Sequence, residues 1–261
     1  MGTDAPRAPL DQSAITASLS QYWRVSVVDL TTSTQDEIAK IISNSSVIKN
    51  EVVVAEFQSS GRGRLERSFD APKSTALLFS FYHHPKRDKS DWGFLPLLTG
   101  MSVARALNTF ILGQSPVMLK WPNDLLIGDK KLGGIIAEVN GEGLIIGVGI
   151  NIQMESSQLP VDTATSLFIE GASTLDRNQI LVKILSELEA ALTAWDNGEI
   201  FVDRYREASA TLGKQVRVLL PSGNATQSRE VESRAMDIDP SGALVLENGK
   251  RITVGDVIHL R

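Results

Sequence analysis

No cysteine occurs among the 261 residues, which excludes disulfides, thiolate metal sites and cysteine nucleophiles together. Histidine is scarce as well, with three in the chain. Two of them, His83 and His84, are adjacent, so on a strand they point to opposite faces and read as strand-end polarity rather than a metal pair. No apolar run approaches the ~18 residues of a membrane span. The first twenty residues lack an apolar stretch of signal-peptide type, and Pro6 stands where a myristoylation signal has Ser or Thr. The expected address is the cytoplasm. Positive charge is not in excess either: 26 Lys and Arg face 31 Asp and Glu, for a net charge of -5. A surface of that balance offers no broad basic field for duplex DNA or anionic lipid, so neither DNA nor membrane is an expected partner. Any anion has to be met locally. Internal repeats and low-complexity segments are also missing.

What is present suffices for a large core, since 42% of the residues are hydrophobic. The first twenty residues read as a loose tail with a short helix from about Asp11. WRVSVVDL (23–30), EVVVAEF (51–57) and STALLFSFYHH (74–84) read as strands, and TTSTQDEIAKII, with its Ser/Thr cluster, acidic first turn and apolar stripe, as a helix start. The spacing of apolar residues predicts a central buried helix over 92–112 and an amphipathic scaffold helix over 175–195, with a shorter one at 201–209. PVMLKWP (116–122), KLGGIIAEV (131–139) and GLIIGVGINI (143–152) are strand-like and close in sequence, which favours antiparallel pairing. Beyond Gly213 the chain turns to short strands (QVRVLL, ALVLE, RITVGDVIHL) with turn signals PSGN, DPSG and ENG between them, the pattern of a small β-barrel. These features divide the chain into a tail (1–20), a main domain (21–212) and a barrel (213–261).

Against this acidic background, GRGRLERSF (61–69) concentrates three arginines and two glycines. Glycines at 61 and 63 let main-chain N–H groups approach a ligand, and Arg62, Arg64 and Arg67 add forked donors, so the loop outlines an anion cradle. Alone, such a stretch describes a solvated surface turn equally well, and it matches neither a Walker A nor a dinucleotide fingerprint. A second constellation, KWPNDLLIGDKKLGGIIAE (120–138), gathers Lys120, Asn123, Asp124, Lys130 and Lys131. It reads as a hairpin turning at Gly128-Asp129, with its charges around that turn and Leu132, Ile135 and Ile136 buried. Trp121 and Trp92 read as core. In GVGIN (147–151) glycines alternate along a strand, leaving a groove for a flat ligand or a neighbouring backbone.

Taken as a set and in this order, Ser33-Thr34, Gln58, GRGR, KWPNDLL and KLGGI resemble the catalytic domain of the biotin protein ligases. The resemblance covers about residues 23–152 by motif and the C-terminal segment by layout. It implies an α+β fold: a central mixed β-sheet packed on helices, of the class II synthetase-like kind, with a C-terminal SH3-like β-barrel. It also implies an enzyme that makes biotinyl-5'-AMP from biotin and ATP with Mg²⁺, then biotinylates a lysine of a biotin carboxyl carrier domain belonging to a carboxylase. By position, Ser33, Thr34 and Gln58 would bond the ureido end of biotin. Gly61 and Arg62 would open the loop that closes over it, while Arg64 and Arg67 would face phosphate. Lys131 would contact the biotin carboxylate and the reacting phosphate. Asp124 would hold magnesium or position the acceptor lysine. Gly147, Gly149 and Asn151 would line the groove, with Lys120, Asn123 and Gly134 completing the binding set. Three departures from the family's pattern stand out: Glu66 for a glycine and Phe69 for a tryptophan in the arginine loop, and Gln35 where the usual triplet is S-T-N. Phe69 keeps an aromatic face for adenine.

The chemistry explains why such residues would be wanted. Biotin is a carboxylate and ATP a polyanion, so two anions must be pressed together; each unit charge pair at ~4 Å and an effective dielectric near ~20 is worth about 4 kcal/mol before desolvation. Carboxylate attack on phosphorus needs no general base, which fits the shortage of histidine. The acceptor lysine, with a free pKa of about 10.4, must lose a proton on arrival, a task for Asp124. Alternatives are a lipoate-type acyl-adenylate ligase and a non-catalytic biotin-sensing module. With 32 residues ahead of Ser33, too few for a winged helix, a DNA-binding repressor is not expected. An exposed sheet edge would serve either a second subunit or a carrier, so the sequence leaves monomer and weak homodimer both open.

Overall fold

The computed structural model describes residues 7–44, 50–64, 67–113, 115–221 and 229–260. Glu66, the first six residues of the tail and most of the PSGN turn lie outside them. The main sheet has seven strands in the order β1-β2-β3-β7-β6-β5-β4. They are β1 (Trp23–Val28), β2 (Asn50–Ala55), β3 (Ala76–His83), β4 (Val117–Lys120), β5 (Asp124–Ile127), β6 (Lys130–Asn140) and β7 (Gly143–Asn151). β1 and β2 are parallel, joined through helix α2 (Thr34–Asn44), and every other pair is antiparallel, so the sheet is mixed.

All eight residues of β3 are buried, because the sheet is covered on both faces. On one face α2 lays Ile38, with Ile41 and Ile42, against Val53, Tyr82 and Ile145. On the other, α3 (Leu95–Asn108) and α4 (Arg177–Asp196) close the main core. The long helix expected over 92–112 is split: residues Lys89–Phe94 wind as a 3-10 helix and Pro96 sits in the first turn of α3, where its missing N–H is harmless. His83 is buried with Nε2 3.5 Å from Asp196 Oδ2, and His84 is exposed, as strand alternation demands.

The tail is not loose from residue 8 onward. Asp11 caps α1 (Gln12–Ala17), accepting from the N–H groups of Ser13 and Ala14, and Leu10 and Ile15 are buried. Glu56 accepts from the Leu10 N–H at 2.6 Å, and Arg177, at the start of α4, donates to the Ala8 carbonyl at 2.9 Å. Sequence periodicity misses this docking because it depends on a buried ion pair between Glu56 and Arg177, 2.7 Å apart, whose members are 121 positions from one another.

After α5 (Val202–Ala208) the chain crosses to a five-stranded antiparallel sheet, ordered β11-β10-β9-β8-β12. Its strands are β8 (Gln215–Leu220), β9 (Arg229–Ile238), β10 (Leu244–Leu246), β11 (Arg251–Ile252) and β12 (Asp256–His259). This small unit is fastened to the main one. The indole of Trp121 donates to the Gly242 carbonyl at 3.0 Å, and the Trp121 N–H donates to the Thr211 hydroxyl, also at 3.0 Å. That hydroxyl lies 3.0 Å from His259 Nε2. Burial, followed by Lys214 and Lys120, pushes the His259 pKa down to about 4, so the ring that shares this hydrogen bond is neutral at pH 7.

Candidate active site

A cavity of about 280 Å³ opens where α2, the arginine loop, the β4–β6 hairpins and β12 converge. One end is neutral and polar. Ser33 precedes α2, and its hydroxyl caps the helix by accepting from the Gln35 N–H at 3.3 Å. The Thr34 N–H and hydroxyl both meet Gln58 Oε1, at 2.8 and 3.0 Å, and the same hydroxyl lies 2.7 Å from the Ser80 hydroxyl of β3. Thr34 therefore orients Gln58 as much as it faces the cavity. Ser80 was not among the expected residues, although a serine inside the apolar run LLFSFY is a visible signal. Gly147 forms part of the wall, where a side chain would press on Gln35 at 3.3 Å.

The other end is charged, and its geometry rests on a β-bulge. β5 pairs Asp124 with Gly134 and Leu125 with Gly133, then Leu126 with Lys131. The unpaired Leu132 shifts the alternation by one and turns Lys131 onto the face that carries Asp124. Lys131 Nζ consequently lies 2.5 Å from Asp124 Oδ1, and the Lys131 side chain passes over Gly134, where a Cβ would stand in ordinary contact with Cε and Nζ at 3.7 Å. The Lys131 backbone is held from behind: its N–H donates to the Thr163 carbonyl and its carbonyl accepts from the Thr165 N–H, both at 2.8 Å. Asn151, expected in the groove, stands outside the cavity lining; its amide donates to the Thr165 carbonyl at 2.9 Å, in the segment behind Lys131.

The expected single hairpin over 120–138 is really two. Lys120 and Asp124 face each other across a first turn, Trp121-Pro122-Asn123, which contains a cis peptide bond before Pro122. The site charges cluster there, not at Gly128-Asp129, which forms the far turn and leaves Lys130 exposed. Leu132 and Ile135 are buried as expected, whereas Ile136 is half-buried and lines the cavity. Trp121 is buried core that also contributes to the wall, and Trp92 is core.

Described residues of the arginine loop line the cavity too. Gly61 is outside the lining but cannot be replaced easily: its carbonyl accepts from the Phe69 N–H at 2.9 Å, and a Cβ would come within 2.3 Å of the Phe69 carbonyl oxygen. Phe69 lays its ring over Gly149, where a Cβ would meet it at 2.9 Å. Arg64 donates to Asn123 Oδ1 and to the Gly255 carbonyl, each at 3.2 Å, and lies 3.5 Å from Asp256. Arg67 also pairs with Asp256, while Arg62 pairs with Asp36 and lies 3.7 Å from Glu138. Burial lowers the Arg64 pKa, opposed by Asp256 and Asp124. The three guanidinium groups thus share one rim but have two sets of carboxylate partners. Asp256, from the C-terminal unit, carried no sequence signal; only the packing of β12 brings it here.

Five cations, Arg62, Arg64, Arg67, Lys120 and Lys131, line the cavity with two carboxylates, Asp124 and Asp256. In a chain of net charge -5 this is a local excess of positive charge, in a cavity that also holds neutral hydrogen-bonding groups and apolar walls from Leu78, Phe79 and Val148. Such a site suits a ligand with a polar head, an apolar body and an anionic end joined to further anionic groups.

Comparison with known proteins agrees. The biotin/lipoate A/B protein ligase family model matches residues 27–155, and that of the biotin protein ligase C-terminal domain matches 211–260. A biotin–[acetyl-CoA-carboxylase] ligase of Mycobacterium tuberculosis is 35% identical over 99% of this chain and 98% of its own length. The bifunctional ligase/repressor BirA of Salmonella typhimurium is 30% identical over 81% of this chain and 67% of its own. Among solved structures, the biotin protein ligase of Aquifex aeolicus in complex with biotin and ATP aligns with a TM-score of 0.75 at 28% identity, covering 91% of this chain and 99% of that one. Fold, cavity chemistry and whole-length similarity agree, and the chain belongs to the biotin protein ligase family.

Proposed function

We propose that the protein condenses biotin with ATP to biotinyl-5'-AMP and then biotinylates a lysine of a carboxyl carrier domain, in the cytoplasm. The observation that carries this reading is the placement of Lys131 and Asp124 on one face of a bulged hairpin, in a cavity shared with Arg62, Arg64, Arg67, Lys120 and the Ser33–Gln58 group. In the first step the biotin carboxylate attacks the α-phosphorus and the bond to the β-phosphate breaks, releasing pyrophosphate. Lys131 and Lys120 would draw the carboxylate and α-phosphate together, with Arg64 and Arg67 on the phosphates. In the second step the acceptor amine attacks the acyl carbon, the bond to AMP breaks, and Asp124 takes or orients the amine proton.

Among the described residues no cluster of three or more His, Cys, Asp or Glu side chains could hold a metal by itself. Asp124 alone beside a triphosphate fits Mg²⁺, which is commonly held by one or two carboxylates plus substrate phosphates. The ion, when bound with the nucleotide, screens phosphate charge. Arg62, Gly61, Phe69, Gly147 and Gly149 would shape the loop and walls, and Asn151 would support the segment behind Lys131. Residues 213–261 would form the smaller unit, contributing Asp256 to the rim. No helix among the described residues is long and apolar enough to cross a membrane. The test is biotin-dependent ATP–pyrophosphate exchange, followed by incorporation of biotin into a carrier domain. Exchange with lipoate but not biotin would replace this reading by the lipoate one.

A further inference from the structure

Gln35, the second residue of α2, ends in a carboxamide whose Oε1 and Nε2 are both buried without a hydrogen-bond partner. The residue is 2% exposed and belongs to the cavity wall. Among the described residues that line the cavity, no other side chain has such unpartnered buried atoms. The other polar groups in this part of the cavity wall, the Thr34 hydroxyl, the Ser80 hydroxyl and Gln58 Oε1, are engaged with one another. Gly147, in the same wall, leaves the space that this side chain uses: a Cβ there would stand 3.3 Å from Gln35 Cγ and Cδ. A buried donor and acceptor left unpaired each cost roughly 1–3 kcal/mol, and native structures keep few of them without a reason.

We propose that Gln35 is a specificity-determining residue that selects a cyclic urea over a dithiolane ring at the neutral end of the cavity. The inference rests on the biotin-ligase reading and deepens it. A urea ring presents N–H and C=O on one edge and can satisfy both halves of a carboxamide. A dithiolane offers no donor and only weak acceptors, so it leaves both atoms without a partner. Sites built to hydrogen-bond a substrate reject analogues that lack the partner group far more strongly than apolar pockets reject a size change. The family includes both biotin and lipoate ligases, and this side chain gives a physical reason for this member to act on the first.

The experiment compares the wild-type protein with Gln35→Met, which keeps the length and loses the amide, by calorimetry with biotin and with lipoate and by thermal melting without ligand. The expected result has opposite signs: ligand-free melting is unchanged or raised, because an unpaired polar group is gone, while biotin binds at least about tenfold more weakly. The preference for biotin over lipoate falls by at least the same factor. A merely structural role would lower the melting temperature and weaken both ligands alike. Gln35→Leu carries the same expectation if the methionine variant does not fold. Biotin affinity within about twofold of wild type in either folded variant, or equal losses for the two ligands, overturns the proposal. Wild-type protein that binds no biotin overturns the biotin-ligase reading instead.

Discussion

Arg177→Met removes the cation from a buried ion pair while keeping most of its volume. The Arg177 side chain is 1% exposed and that of Glu56 7%, with 2.7 Å between Nη1 and Oε2. Glu56 also accepts from the Leu10 N–H at 2.6 Å and the Ser74 hydroxyl at 2.7 Å. Burial alone raises the Glu56 pKa, but the bonds from Arg177, Leu10 and Ser74 outweigh it and hold the carboxyl below its ordinary value. Removing one partner of a buried pair typically costs 3–5 kcal/mol, because the other charge is left uncompensated. At about 2–4 °C per kcal/mol for a chain of this size, melting should fall by roughly 6–20 °C.

The pH dependence has a definite sign. In the wild type the depressed carboxyl stabilises the fold above its unfolded pKa, and this contribution is lost as pH falls through the folded value. In the variant burial dominates and the folded pKa is raised, so the carboxylate penalises the fold at pH 7 and the penalty is relieved on acidification. The deficit of Arg177→Met should therefore shrink between about pH 7 and 5. The double variant with Glu56→Gln should recover most of the loss at pH 7. The assays are thermal and urea melts across pH, with hydrogen exchange reporting early release of residues 8–17. A deficit under about 1 kcal/mol at pH 7, or one that grows on acidification, refutes the reasoning.

Two further predictions concern the site. Asp256 occupies Arg64 and Arg67, so Asp256→Asn should remove a competitor of phosphate and lower the KM for ATP about fivefold at low salt, equivalent to ~1 kcal/mol. The gain should fade as salt rises; steady-state exchange kinetics measure it, and an unchanged or raised KM contradicts it. Asp124→Asn should slow transfer from preformed biotinyl-AMP to a carrier lysine by at least ~100-fold. Single-turnover transfer at the wild-type rate removes Asp124 from that role.

The main sheet was legible because its strands are apolar runs bounded by turn residues, and the site because its motifs fall on strand ends and turns. Lys131 is different. Its residue type was evident, but the face it occupies depends on the bulge at Leu132, and a pattern of apolar residues does not locate an unpaired position. Local pattern points to the wrong turn for the charges because Gly128-Asp129 is a strong local signal, whereas the turn at Pro122 interrupts what reads as one continuous strand. Asp256 and the Glu56–Arg177 pair escaped notice for a shared reason: each joins segments over a hundred positions apart, where local propensity carries no information. Gln35 departs from S-T-N in the sequence, but a departure in residue type does not reveal that both amide atoms are buried and unpaired.

The central claim is that Lys131, turned toward Asp124 by the bulge, brings a carboxylate onto the α-phosphate of ATP. Biotin-dependent exchange of labelled pyrophosphate into ATP, measured for the wild type and for folded Lys131→Met, tests it most directly. The account predicts robust exchange in the wild type and a loss of at least ~100-fold in the variant, with melting little changed because this side chain is 43% exposed. Exchange at the wild-type rate in Lys131→Met would contradict it.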